Sequence, residues 1–316
     1  MRDKNKKTIA HEAIRVSGYH SGTRNGYTEA AGNCGFPEGL FFYASDRRHA
    51  VAPGYEPSET MKARGLRVSG YGLEVEMVNP AISGDVLANV TKSYVFGAFD
   101  SALWKFESDC TVDLECISQV MSREFIRNNY AAFHQLFKRL AICGGTTDDP
   151  RVGMHINISL SQFGRTSEAA RTAAAAFWAL MSRPEWDALF CAATNRRESA
   201  RTYCGRVTSE EYDTSNSHGR ALNYSHIDEG SGRVEFRFVA GQRDFRGFRD
   251  TMELIFFAVK RIKSIKNPLT VTPAQFFRGC NKYVVSALRR VDLTPAELRE
   301  IAQNADLDTD YTLHDQ

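Results

Sequence analysis

The chain has 316 residues, 42% hydrophobic and 25% charged, with a formal net charge of +2. Such a balance fits one large globular domain or two small ones and leaves no electrostatic case for nucleic acid or a membrane surface as partner. Seven cysteines without metal-type pairing read as reduced thiols in a cytoplasmic protein, with no signal peptide and no apolar run long enough to span a bilayer.

Residues 1–64 read as a partly irregular N-terminal extension. Met1 to Lys7 is basic, and His20 to Gly35 is rich in Gly, Asn, Ser and Thr. Leu40 to Tyr43 is a short apolar patch suited to docking on the main domain. Cys34, His11, His20 and His49 lack the spacing of zinc ligands.

Tyr71 to Val78 has the two-residue period of a strand: Leu73, Val75 and Met77 alternate with Glu74 and Glu76. The two glutamates therefore share one face, where like charges repel unless something positive sits between them. Ser83 to Phe99 reads as a helix capped by Ser83, with Val86, Leu87, Val90, Tyr94 and Val95 as its apolar stripe. Leu103 to Phe106 is a short strand, and Glu107-Ser108-Asp109 turns from it into a strand at Asp113 to Val120 that carries Glu115.

Ser122 to Cys143 reads as one amphipathic helix, with Phe125, Ile126, Tyr130, Phe133 and Phe137 inward. A strand over Val152 to Leu160 turns Met154, Ile156, Ile158 and Leu160 one way and His155, Asn157 and Ser159 the other. Helices follow from Thr166 to Met181 and from Pro184 onward. Asn195 to Ser217 is long and polar, and Arg196, Arg197, Arg201 and Arg206 there suit either a clasp on a nucleotide phosphate or a solvated charge run. Arg220 to Tyr224 is strand-like. A tight turn at Asp228 to Gly232 leads into a strand over Gly232 to Ala240, with Val234, Phe236 and Phe238 opposite Arg233, Glu235 and Arg237. Phe245 to Lys263 reads as a helix. Capping boxes at Thr272 to Gln275 and Thr294 to Glu297 open two last helices, ending near residues 290 and 304.

Strand pairs joined by short turns, with helices gathered elsewhere, point to an α+β fold: a mainly antiparallel sheet with helices packed on one face. The polar faces of its strands carry acids, one histidine and guanidinium groups, a composition suited to divalent cations and a polyphosphate.

Taken in order, Gly-Leu-Glu-Val-Glu, Glu-Ser-Asp-Cys-Thr-Val-Asp-Leu-Glu-Cys-Ile-Ser, Gly-Met-His-Ile-Asn-Ile, Leu-Asn-Tyr and Arg-Val-Glu-Phe-Arg-Phe resemble the amidoligase family. That family belongs to the carboxylate–amine ligase superfamily, with glutamine synthetase and glutamate–cysteine ligase. The resemblance spans roughly residues 65 to 263. It implies a catalytic domain over 65–265 with a curved antiparallel sheet whose concave face holds the site, and C-terminal helices over 266–316 packed on it. One departure from the family pattern is Asn157, where a second histidine is usual.

The resemblance implies Glu76 and Glu115 as ligands of a metal near the amine site. It implies Glu74, His155 and Glu235 as ligands of a metal that bridges the nucleotide phosphates. Arg237 resembles the arginine that meets the γ-phosphate, Arg220 could do related work, and Asp109 would line the substrate side. The expected cofactors are ATP with Mg2+ or Mn2+, and the expected partners are a carboxylate and an amine substrate. The chemistry would be amide-bond formation through an acyl phosphate, which needs cations on the triphosphate, a guanidinium on the phosphoryl group and an anionic pocket for the ammonium. Two other readings stay open: a guanidino or amine kinase on the same fold, and a non-catalytic binding or structural protein.

Overall fold

The computed structural model describes residues 66–78, 104–107, 112, 114–118, 120–130, 133–134, 137, 149–197, 201, 204–212, 214, 219–228, 232–242 and 244–305. The N-terminal extension over 1–64 and the helix expected at 83–99 lie outside these residues.

Among the described residues six strands form one sheet: β1 (Leu66–Met77), β2 (Trp104–Glu107), β3 (Leu114–Ser118), β4 (Met154–Ser159), β5 (Leu222–Asn223) and β6 (Arg233–Phe236), in the order β2-β3-β1-β4-β6-β5. Every pairing is antiparallel. The long strand β1 lies inside the sheet, paired with β3 on one side and β4 on the other. Its odd positions, Tyr71, Leu73, Val75 and Met77, are all buried in the apolar core.

Seven helices follow among the described residues: α1 (Arg123–Asn128), α2 (Ser167–Met181), α3 (Pro184–Ala193), α4 (Phe245–Ile262), α5 (Pro273–Phe277), α6 (Lys282–Leu288) and α7 (Pro295–Gln303). Their starts are written in the sequence. Ser122, Thr166, Asp244, Thr272, Asn281 and Thr294 each accept a main-chain N–H from the first turn, which satisfies donors that a helix end leaves open. Both capping boxes form as expected. The helix expected to run from Thr272 to about residue 290 is instead two helices. Gly279 stands at φ +75°, a left-handed conformation that glycine adopts without cost, and Asn281 then caps a new start. The long helix expected over Ser122 to Cys143 is α1 followed by helical backbone at Tyr130, Phe133, His134 and Phe137.

The helices pack on the apolar face of the sheet. Tyr71 of β1 meets Phe256 of α4 edge-on at 4.7 Å, Phe236 of β6 stacks on Phe177 of α2 at 4.7 Å, and Phe238 touches Phe190 of α3 at 5.6 Å. One continuous core joins these residues to Phe276, Phe277, Val284 and Ile301 of the C-terminal helices. The described part is therefore α+β, with an antiparallel sheet covered by helices. Cys191, Cys204 and Cys280 are buried free thiols. No helix among the described residues is long and apolar enough to cross a membrane.

Candidate metal centre

The face of the sheet turned away from the aromatic core gathers the acidic residues. Register does this: in an antiparallel ladder directly opposed residues share a face. Glu74 of β1 is opposite His155 of β4, and Asn157 of β4 is opposite Glu235 of β6, which in turn is opposite Asn223 of β5. Four strands therefore deliver side chains to one patch, and all five of these residues are buried.

At the centre is the His155 imidazole. Its Nδ1 lies 3.0 Å from Glu74 Oε2 and 3.4 Å from Glu235 Oε1, and its Nε2 lies 3.5 Å from Glu76 Oε1. A carboxylate can only accept, so Nδ1 carries its proton toward Glu74. Burial and the Arg237 charge oppose protonation of His155, but Glu76, Glu74 and Glu235 outweigh them and hold its pKa above the ordinary value. Glu235 moves the other way. Burial would raise its pKa, yet Arg237, His155, Arg233 and a hydrogen bond from Asn223 hold it well below the carboxylate range. Glu74 is lowered too: burial and Glu235 are overcome by its hydrogen bond with His155 and by the charges of His155 and Arg233.

Each carboxylate has a fixed anchor. Gly153 N–H donates to Glu76 Oε2 at 2.6 Å, Asn157 Nδ2 to Glu74 Oε1 at 2.6 Å, Asn223 Nδ2 to Glu235 Oε2 at 2.7 Å, and Arg237 Nη1 to Glu235 Oε1 at 2.6 Å. Such supporting bonds orient ligand atoms. A Cβ at 153 would come within 2.8 Å of Arg196 Nη2 and 3.3 Å of both Glu76 Oε2 and His155 Nε2, so a larger residue there would displace these side chains.

Glu74, His155 and Glu235 offer ligand atoms that all lie within 4.8 Å of one another. Two carboxylates and one imidazole suit a hard divalent cation, with the imidazole favouring Mn2+ over Mg2+. The surroundings contain buried polar atoms with no hydrogen-bond partner among the described residues: Asn157 Oδ1 and Arg237 Nε. Buried polar atoms in native proteins are normally satisfied. The cluster therefore fits a metal together with an anionic, oxygen-rich ligand.

The site residues expected from the sequence fall into three groups. Glu74, Glu76, His155, Glu235 and Arg237 come together. Glu115 of β3 holds the register position opposite Glu76, and Glu107 of β2 the one opposite Glu115, so backbone pairing sets three acidic residues in one row. Arg220 is not brought into the cluster by any described hydrogen bond; its Nη1 donates to the Arg206 carbonyl, and its backbone bridges Gly205. Asp109 lies outside the described residues. Sequence reasoning gave no role to Asn157, Asn223 or Gly153. The signal available was their place within the same short motifs, as neighbours of His155, Tyr224 and Met154. The Arg-rich segment also divides. Arg201 is buried and forks onto Asp187, with its Nη2 2.8 Å from Oδ1, so it ties the loop to α3. Arg196 is buried beside the cluster.

No protein-family model matches the chain, and a search of curated proteins found no match.

Proposed function

We propose that this chain is an ATP-dependent carboxylate–amine ligase that forms an amide through an acyl phosphate, with Mg2+ or Mn2+ held by Glu74, His155 and Glu235. The observation that carries the reading is the buried Glu74–His155–Glu235 group with the Arg237 guanidinium on Glu235. When bound there, the cation would neutralise phosphate charge and polarise the transferring group.

The chain's own residues would do the rest. Glu74 and Glu235 supply oxygens whose orientation is set by Asn157, Asn223 and Arg237. Glu76 supplies negative charge suited to an incoming ammonium, and Glu115 holds the backbone register position opposite it. Arg237 uses one nitrogen on Glu235 and leaves its Nε without a hydrogen-bond partner, so the guanidinium can hold a phosphoryl oxygen without releasing its anchor. Arg233 lowers the pKa of both Glu74 and Glu235 and adds a second cationic charge beside the site. Burial excludes water from these groups, which strengthens each charge interaction and protects an acyl phosphate from hydrolysis.

A screen for ADP release that depends on both an acid and an amine, with Mg2+ or Mn2+, tests the proposal. An amide product supports the ligase. A phosphorylated amine would reassign the site to a kinase. Absence of nucleotide binding in the presence of Mn2+ would make the chain a binding or structural protein.

A further inference from the structure

Arg196 follows α3 and is 7% exposed. The chain reaches it through Asn195 at φ 65°, and its own N–H returns to the Cys191 carbonyl at 2.7 Å. Thr194 fastens the same segment to the end of β6. Its carbonyl accepts from Ala240 N–H at 3.3 Å, and its hydroxyl, 2.8 Å from the Phe190 carbonyl, also lies 3.2 Å from that of Phe238.

The guanidinium then reaches under the sheet, where the β4–β6 ladder gives way to an isolated bridge between Gly153 and Ala240. Nη1 donates to the Val152 carbonyl at 3.2 Å. Nη2 donates to the carbonyls of Val239 at 2.9 Å and Arg237 at 3.2 Å. Two of those carbonyls already take ladder-type bonds, Val239 from Met154 N–H and Val152 from Gly241 N–H. The Arg196 fork thus spans the backbones of both strands on either side of Gly153.

Gly153 is the residue whose N–H holds the Glu76 carboxylate, and its carbonyl accepts from Glu76 N–H at 3.2 Å. Arg237, whose carbonyl Arg196 also holds, is the residue that pins Glu235. A planar guanidinium reaches three carbonyls at fixed angles; an ammonium is a point charge with no such fork.

We propose that Arg196 is a positioning residue: by bracing Val152, Arg237 and Val239 it presses the Gly153 N–H onto Glu76 and sets the spacing between the Glu76–His155 and Glu235–Arg237 halves of the centre. The claim about Gly153 and Glu76 stands without any ligand. The claim that this spacing serves a metal rests on the ligase reading above.

The test uses the full chain and two separate readouts. The first is the Gly153 amide proton in NMR without metal. Its 2.6 Å bond to a carboxylate places it far downfield in the wild type. In Arg196→Met it should move upfield by ~1 ppm or more, as a charge-assisted bond lengthens. Arg196→Lys should show an intermediate shift. Phe276→Leu, a substitution in the core away from the centre, controls for general loss of stability and should leave the resonance in place. It also keeps the test open if Arg196→Met fails to fold, because Arg196→Lys can then be compared with it at matched stability. An unmoved Gly153 amide in a folded Arg196 variant overturns the proposal, as does an equal shift in Phe276→Leu.

The second readout is Mn2+ affinity by electron paramagnetic resonance. It should fall ~10-fold or more in Arg196→Met, the scale at which supporting residues act on ligand geometry, and remain unchanged in Phe276→Leu. Wild-type protein that binds no Mn2+ would remove the metal reading while the amide shift still decides the role of Arg196. Wild-type binding with equal affinity in Arg196→Met would overturn the claim that the Arg196 brace sets spacing for a metal, and leave the metal reading intact.

Discussion

Two of the places where the described residues bury carboxylates solve the problem in opposite ways. Glu253 of α4 is 0% exposed and is fully answered. Its Oε1 accepts from Arg127 Nε and Tyr130 hydroxyl, each at 2.8 Å; its Oε2 accepts from Arg127 Nη2 at 2.5 Å and Asn281 Nδ2 at 2.8 Å. One acid meets a guanidinium fork and two neutral donors drawn from two separate segments, residues 127–130 and Asn281. On the sheet, by contrast, Glu74, Glu76 and Glu235 crowd around one imidazole, and Asn157 and Arg237 each keep a polar atom without a hydrogen-bond partner among the described residues. The Glu253 cluster is closed and ties α1 and α6 to α4. The sheet cluster has capacity left over. Saturation marks a structural latch, and unsatisfied buried groups mark a place built for something else.

The sharpest way to break this contrast is Glu253→Ala. Removing one partner strands the Arg127 guanidinium, so stability should drop by ~3–5 kcal/mol in urea unfolding, while the folded fraction keeps its Mn2+ affinity. A loss of Mn2+ affinity in that folded fraction would mean that the two clusters are coupled.

Arg237→Lys tests the open side of the comparison. Turnover with a confirmed substrate pair should fall ~100-fold or more, since Lys keeps the charge but loses the fork, and ATP affinity should change much less. Single-turnover kinetics separates the two. Normal turnover would remove Arg237 from the chemistry.

Mn2+ itself should distinguish the clusters in thermal unfolding. At a concentration 100-fold above its Kd it should add ~2.7 kcal/mol of stability, and Glu74→Gln should abolish that increment without disturbing the Glu253 latch. An increment that survives in Glu74→Gln would place the ion elsewhere.

The smallest effect is in pH. The folded pKa of His155 is raised above 6.5, so its contribution to metal-free stability is full below 6.5 and is lost as pH rises through the folded value. Those of Glu74 and Glu235 are lowered from 4.5, so their contributions are full above 4.5 and are lost as pH falls through the folded values. Metal-free protein should therefore soften on the alkaline side, and His155→Gln should flatten that limb. Mn2+ affinity should rise over the same range, because a ligating imidazole must be unprotonated. An alkaline limb unchanged in His155→Gln would contradict the charge assignment.

The local alternation of Leu73, Val75 and Met77 with Glu74 and Glu76 determined strand β1, its buried face and the side on which its acids stand, because a strand's period is two whatever surrounds it. Thr272, Thr294 and Ser122 likewise fixed helix starts through bonds that span only a few residues. The break between α5 and α6 was less legible, since a glycine declares its left-handed backbone only once the chain is folded. What the tertiary structure alone decided is register. Glu74 faces His155, and Glu235 faces Asn157 and Asn223, through pairings between segments far apart in the chain, and no local pattern states which residue of one strand stands opposite which residue of another. Burial of charge was hidden for the same reason. Arg196 and Arg201 look alike in the sequence, yet one braces the carbonyls beside Glu76 and the other closes on Asp187 of α3, because a guanidinium's partner is chosen by the elements that the fold brings within its reach.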